Sequence, residues 1–343
     1  MSFVELSMKN LFLGTEDGLV RLRAADGSWR ADQERPLKGK KVLCGSKLGR
    51  RLVVSCYGDG VYLSDDLGDS WRRVEDRRFG KVRCLVHAPW NGQDALFVGT
   101  EPVGLYVSTD AADSWNEITQ VREMQQTRRW TYPVPGVDPH VRDVVVDDAD
   151  QDTLYVAVQV GGILVGRQRA QVWDERVRGL NPDVHRVLVE PSDRSTFYAA
   201  TGEEGIFISH DGGHEWRRCG AEVPWTYTIP FENRGANRLV AGMGRGLPNL
   251  WLEREAGAEA VLALSNDGGK SWTASYPETP LASMIMALMF TSPSKDSVLV
   301  GTGVTIGVDV KGIGELYNVD LTRGEWQRLA GDLPGINFIM EEQ

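Results

Sequence analysis

The residues best suited to chemistry are two histidines and two arginines that hold matching places in successive segments of the chain. When Val42, Val82, Val141 and Val184 are aligned, Lys41, Lys81, His140 and Asp183 come just before them, and Leu43, Arg83, Arg142 and His185 just after. An imidazole beside guanidinium groups can move a proton next to a bound anion. His140 and His185 are therefore the candidate acid–base residues, and Arg83 and Arg142 the candidate anion partners. Glu203 joins them as a candidate catalytic carboxylate because, like Glu16 and Glu101, it follows a short β-rich run. Trp130, Tyr132, Trp225 and Tyr227 could stack on a sugar, a ring or a peptide side chain, and Arg245 could pair with a carboxylate or phosphate. Each of these residues also has a plain structural use in packing and hydrogen bonding. No metal or other cofactor is expected: the four cysteines form no C-x-x-C pair and have no histidine at zinc spacing.

These side chains need elements to hold them, and the chain shows what those are by repeating. A short apolar run ending in small residues occurs as LFLGT (11–15), LVVSC (52–56), LFVGT (96–100), LYVAV (154–158), FYAAT (197–201), LVAGM (239–243) and VLVGT (298–302). Each is followed by a tryptophan: Trp29, Trp71, Trp115, Trp173, Trp216, Trp272 and Trp326. Successive tryptophans are 42, 44, 58, 43, 56 and 54 residues apart. A period of about 40–50 residues built from several short strands is the pattern of a β-propeller. In the fifth unit the expected strands are 184–190, 197–201 and 205–209, with a fourth starting near Trp216. The first unit lacks room for an inner strand, and residues 333–340 (LPGINFIM) resemble the lead-in to one. The expectation is an all-β, seven-bladed β-propeller with four-stranded antiparallel blades, one domain over 1–343, its ring closed by the C-terminal strand. Closure hides strand edges that would otherwise invite aggregation.

Four units carry Ser-x-Asp-x-Gly-x-x-Trp or a near copy: Ser64-Asp66-Gly68-Trp71, Ser108-Asp110-Ala112-Trp115, Ser209-Asp211-Gly213-Trp216 and Ser265-Asp267-Gly269-Trp272. The aspartate can accept backbone N–H groups in a tight turn, glycine supplies positive φ, and the tryptophan buries a ring between strands. In these motifs the chain resembles the BNR, or Asp-box, repeat family. That family includes sialidases, xyloglucan-cleaving hydrolases, sortilin-like receptors and a photosystem II assembly factor, so a glycosyl hydrolase-like label would rest on the repeat alone. The resemblance implies architecture across nearly the whole chain and leaves function open. Sialidases have six blades and an early Phe/Tyr-Arg-Ile-Pro motif, which this sequence lacks; the single-propeller assembly factor is nearest in size.

The long insertions fall between blades or between second and third strands: 117–139, 217–226, 273–283, 244–260 and 303–314. Propeller connectivity puts all of these on one face, where loop growth points to a site. The formal charge of −10 argues against a nucleic-acid partner or an anionic membrane surface. The most apolar window, 281–290, is too short to span a bilayer. The N-terminus reads as no secretory signal, which gives a cytoplasmic reading with free thiols. Two functions remain: a pocket for a small-molecule or glycan ligand, worked on by His/Arg-assisted acid–base chemistry, or a non-catalytic scaffold that binds a protein or peptide. A deep pocket with converging polar groups favours the first, and a broad shallow surface the second.

Overall fold

A computed structural model describes residues 8, 10–25, 28–220, 223–291, 294, 296–304 and 313–342. Seven four-stranded antiparallel sheets form a ring of seven blades. From blade 1 to blade 7 the inner strands are Ile336–Glu341, Val42–Leu48, Val82–Trp90, His140–Asp147, Val184–Val189, Tyr227–Gly235 and Met284–Phe290. In six blades the four strands run outward in chain order. In blade 1 the inner strand comes from the C-terminus, with Phe12 opposite Met340 and Leu13 opposite Ile339. The ring therefore closes as the sequence implies, although Leu333 and Pro334 end the outer strand of blade 7 instead of opening the closing strand.

What holds the blades together is apolar burial between neighbouring sheets, the arrangement expected of strands with alternating faces. Between blades 3 and 4, Ala95, Phe97 and Leu105 pack towards Val144, Val156 and Leu164; between blades 4 and 5, Tyr155 and Val165 meet Phe197 and Trp216. The closing strand is wedged in by Phe338, whose ring occupies the space that side chains at Gly14 and Gly45 would need.

The four serine–aspartate turns share one hydrogen-bond pattern. Ser64 Oγ donates to Asp66 Oδ1 (2.8 Å) and accepts the Gly68 N–H (2.7 Å), while Asp66 Oδ1 accepts the Ser70 N–H (2.9 Å). The same bonds recur at Ser108, Ser209 and Ser265. The hydroxyls of Ser70 and Ser271, which donate to Asp66 Oδ2 (2.5 Å) and Asp267 Oδ2 (2.6 Å), together with these bonds favour the ionised form and hold the two carboxyls down at about 2. Gly68, Gly213 and Gly269 take φ of 91°, 85° and 83°; in the second turn Ala112 is held at 75°.

Two long connections are more ordered than their sequence suggested. Residues 117–139 contain a ten-residue helix, Thr119–Arg128, which buries Val121 against blades 3 and 4 and ends with Arg129 in the left-handed region. Residues 244–260 contain a single turn, Pro248–Trp251, with Trp251 buried. Most of the 303–314 connection, residues 305–312, lies outside the described residues. Among the described residues no helix is long and apolar enough to cross a membrane.

Candidate functional site

Every inner strand carries a bulge near its start, and the bulges build the site. In blade 2, Val42 pairs with Cys56 and Cys44 with Ser55, leaving Leu43 without a cross-strand partner. The same slip leaves out Arg83 in blade 3, Arg142 in blade 4, His185 in blade 5, Met286 in blade 7 and Asn337 in blade 1. Blade 6 skips Ile229 and Pro230 together. A bulge bends its strand and re-aims the extra side chain. Here all of these skipped residues line one cavity of about 240 Å³ in the central channel, to which all seven inner strands contribute.

Two of the aligned cations have different fates. Arg83 is buried and committed: its Nε donates to Glu101 Oε2 at 2.7 Å, and one terminal nitrogen donates to the same oxygen. Lys81 Nζ reaches Glu101 Oε1 at 2.7 Å, and Tyr57 Oη reaches Oε2 at 3.2 Å. The Glu101 side chain is fully buried, which would raise its carboxyl, but Lys81 and Arg83 outweigh burial and hold it below the usual range. Arg142 forms neither a hydrogen bond nor an ion pair among the described residues. It is the bulge cation left available to an anion in the cavity.

Both histidines are buried and held the same way. His140 Nδ1 lies 2.8 Å from the carbonyl oxygen of Asp138, and His185 Nδ1 lies 2.7 Å from that of Thr228. A carbonyl oxygen only accepts, so each Nδ1 donates, and in the neutral form of either ring the lone pair lies at Nε2. Neither Nε2 has a hydrogen-bond partner among the described residues. Burial, helped by the Arg83 and Arg142 charges, holds His140 well below its ordinary 6.5. Tyr132 lies beside His140 with ring centroids 5.8 Å apart, and its hydroxyl accepts from Gln159 Nε2 at 2.9 Å. His185 lines the cavity itself, with Asp183 Oδ1 3.5 Å from its Nε2 and the Tyr227 ring edge-on at 5.2 Å.

The remaining sequence candidates lie around this mouth in supporting or outward places. Trp130 is half-buried against the core of blades 3 and 4, and Trp225 is half-buried with its Nε1 donating to the Glu259 carbonyl at 2.8 Å. Arg245 is exposed and pairs with Glu259 at 3.1 Å. Glu203 is exposed, with Asn181 Nδ2 3.5 Å from its carboxylate. Its distance from the mouth has a simple cause. Glu16, Tyr57, Glu101 and Gly202 each donate their N–H to the residue two before the bulge of their own blade, and Glu203 is one residue further along, on the turn. Sequence reasoning passed over Asp183 and Gln159 as site residues and did not see Met286 or Asn337. The alignment that found Arg83 and Arg142 already contained Asp183; Met286 and Asn337 carry no chemical signal of their own.

No protein-family model matches the chain, and no curated protein does. Solved structures do. One is described as YCF48 bound to D1 peptide: 14% identity, TM-score 0.57, over 88% of this chain and 94% of that one. YCF48 from Cyanidioschyzon merolae is similar at 13% identity and TM-score 0.58, over 87% of this chain and 94% of that one. An ancestral GH74 enzyme is similar at 14% identity and TM-score 0.61, over 94% of this chain but only 40% of the enzyme. At these identities the likeness is one of fold.

Proposed function

We propose that this propeller binds a small organic anion, best a carboxylate, at the mouth of its central channel, with Arg142 as the anion's partner. The observation that carries the reading is an arginine with no hydrogen bond or ion pair among the described residues on the wall of a cavity of about 240 Å³. A guanidinium can grip a carboxylate through two parallel hydrogen bonds. The volume is below the range usual for drug-sized ligands, which suits a small metabolite better than a glycan chain. If the bound molecule is turned over, the neutral lone pair of His140 and the cavity-lining His185 are the proton-transfer groups, and Glu203 is too exposed to share that work. The four serine–aspartate turns support counting the chain among the Asp-box propellers.

Peptide capture is the competing reading. It draws on a structural neighbour described with a bound peptide and on exposed Val134, Leu247 and Leu252 in the elaborated loops. Titration of small carboxylates into the intact protein and into R142M separates the two. Loss of roughly 10- to 100-fold in affinity on substitution, the worth of a charged hydrogen-bonded pair, is the expected result. Carboxylate binding unchanged in R142M would overturn the proposal, and peptide binding indifferent to R142M would favour capture on the loops.

A further inference from the structure

We infer that the ligand carries a second recognition element, an ammonium group seated between Asp183 and His185, so that it is a small zwitterion of amino acid type. The inference rests on the anion site at Arg142. Its starting point is a conflict between two acceptors. His185 gives its Nδ1 hydrogen to the Thr228 carbonyl, so the ring in its neutral form turns a lone pair at Nε2 towards Asp183 Oδ1, 3.5 Å away. Both atoms are buried and without a hydrogen-bond partner among the described residues. Buried acceptors without donors are costly and rare in folded proteins. One group bearing several N–H bonds, set beside the pair, would satisfy both.

The charge of that group follows from Asp183. Burial would raise its carboxyl, but the charge that His185 carries when protonated, with Gln159 and Arg142, outweighs this and holds it below the usual range, so the carboxyl is ionised before His185 gives up its proton. No lysine or arginine pairs with it among the described residues. Blade 3 shows the contrast. There the buried carboxylate, Glu101, is matched by Lys81 and Arg83. In blade 5 the residue with the same backbone bond as Glu101 is Gly202, whose N–H donates to the Asp183 carbonyl at 2.9 Å. A β-carbon at Gly202 would collide with the Asp183 carboxylate. Blade 5 thus uses a glycine to keep its carboxylate in place and sets beside it neither lysine nor arginine among the described residues, only the His185 ring, which is a cation only when protonated. An ammonium group answers an ionised carboxylate better than a hydroxyl does, because a charged donor forms the stronger bond. The same ligand would bring its own carboxylate to Arg142, the neighbouring bulge residue, and leave neither charge unmatched.

The test compares three probes of one carbon skeleton, L-alanine, L-lactate and propionate, by calorimetric titration against the unaltered protein, D183N, G202A and R142M. L-alanine should bind roughly tenfold or more tightly than propionate, with L-lactate between them. D183N and G202A should remove that preference while propionate affinity holds, and R142M should weaken all three. The comparison of probes needs no variant, so it stands if D183N does not fold. Equal binding of L-alanine and propionate to the unaltered protein overturns the ammonium seat and spares the anion site. Tightest binding of L-lactate overturns it in favour of a hydroxyl. Failure of all three to bind in an Arg142-dependent way overturns the anion site, and this inference with it.

Discussion

Replacing Glu101 by alanine tests whether the channel mouth is built around a buried carboxylate. The side chain is fully buried and accepts from Lys81, Arg83 and Tyr57. Lys81 is 37% exposed and can turn to water, but Arg83 is 3% exposed and cannot. The substitution therefore strands one buried cation, a change that typically costs about 3–5 kcal/mol. With a urea slope of about 3 kcal/mol/M or more for a chain of this size, the midpoint should fall by roughly 1–1.5 M. Tryptophan fluorescence reads the transition, since every blade carries a tryptophan. Replacing both partners, R83M with E101L, should recover much of the loss, because burying two apolar chains removes the cost of desolvating two charges. Acid gives an independent reading. The folded carboxyl lies below its unfolded value, about 4.3, so its stabilisation is complete above that value and disappears as pH falls through the folded one. E101Q should therefore lose less stability than the unaltered protein between about pH 5 and pH 3. A midpoint for E101A within about 0.3 M of the original, the scale of a surface ion pair, would refute the reasoning.

Two further outcomes follow from the ring. Ala112 is held at φ 75°, where its three counterparts are glycine, so A112G should raise stability by about 0.5–1 kcal/mol; thermal melting checks this, and a lower midpoint would count against backbone strain at that turn. Deleting residues 336–343 removes the inner strand of blade 1 and exposes the edge of Asn10–Thr15. The shortened chain should aggregate or fail to give a monomer on size-exclusion chromatography, whereas a stable monomer would mean that closure by this strand is dispensable.

Much of the architecture was legible because it is local and repeated. A strand that must bury one face writes that need into its own alternation, and a turn that needs positive φ asks for glycine or bends an alanine to the task. Repetition multiplied these weak signals until blade number, strand order and the closing strand could be read directly. The helix Thr119–Arg128 was missed because it carries little apolar periodicity, burying only Val121. The candidate site was half legible. Alignment of the inner strands singled out Arg83, Arg142 and His185, since equivalent positions in a ring face the same channel. Only the tertiary structure decided which arginine is paired and which has no hydrogen bond or ion pair among the described residues. That depends on Glu101 being one residue past its strand, within reach of Arg83, while Glu203, two past, faces solvent. The bulges are likewise invisible in sequence, because the register between two strands belongs to the pair and not to either one. Charge balance inside the channel is set by distances between blades, and no single stretch of chain contains them.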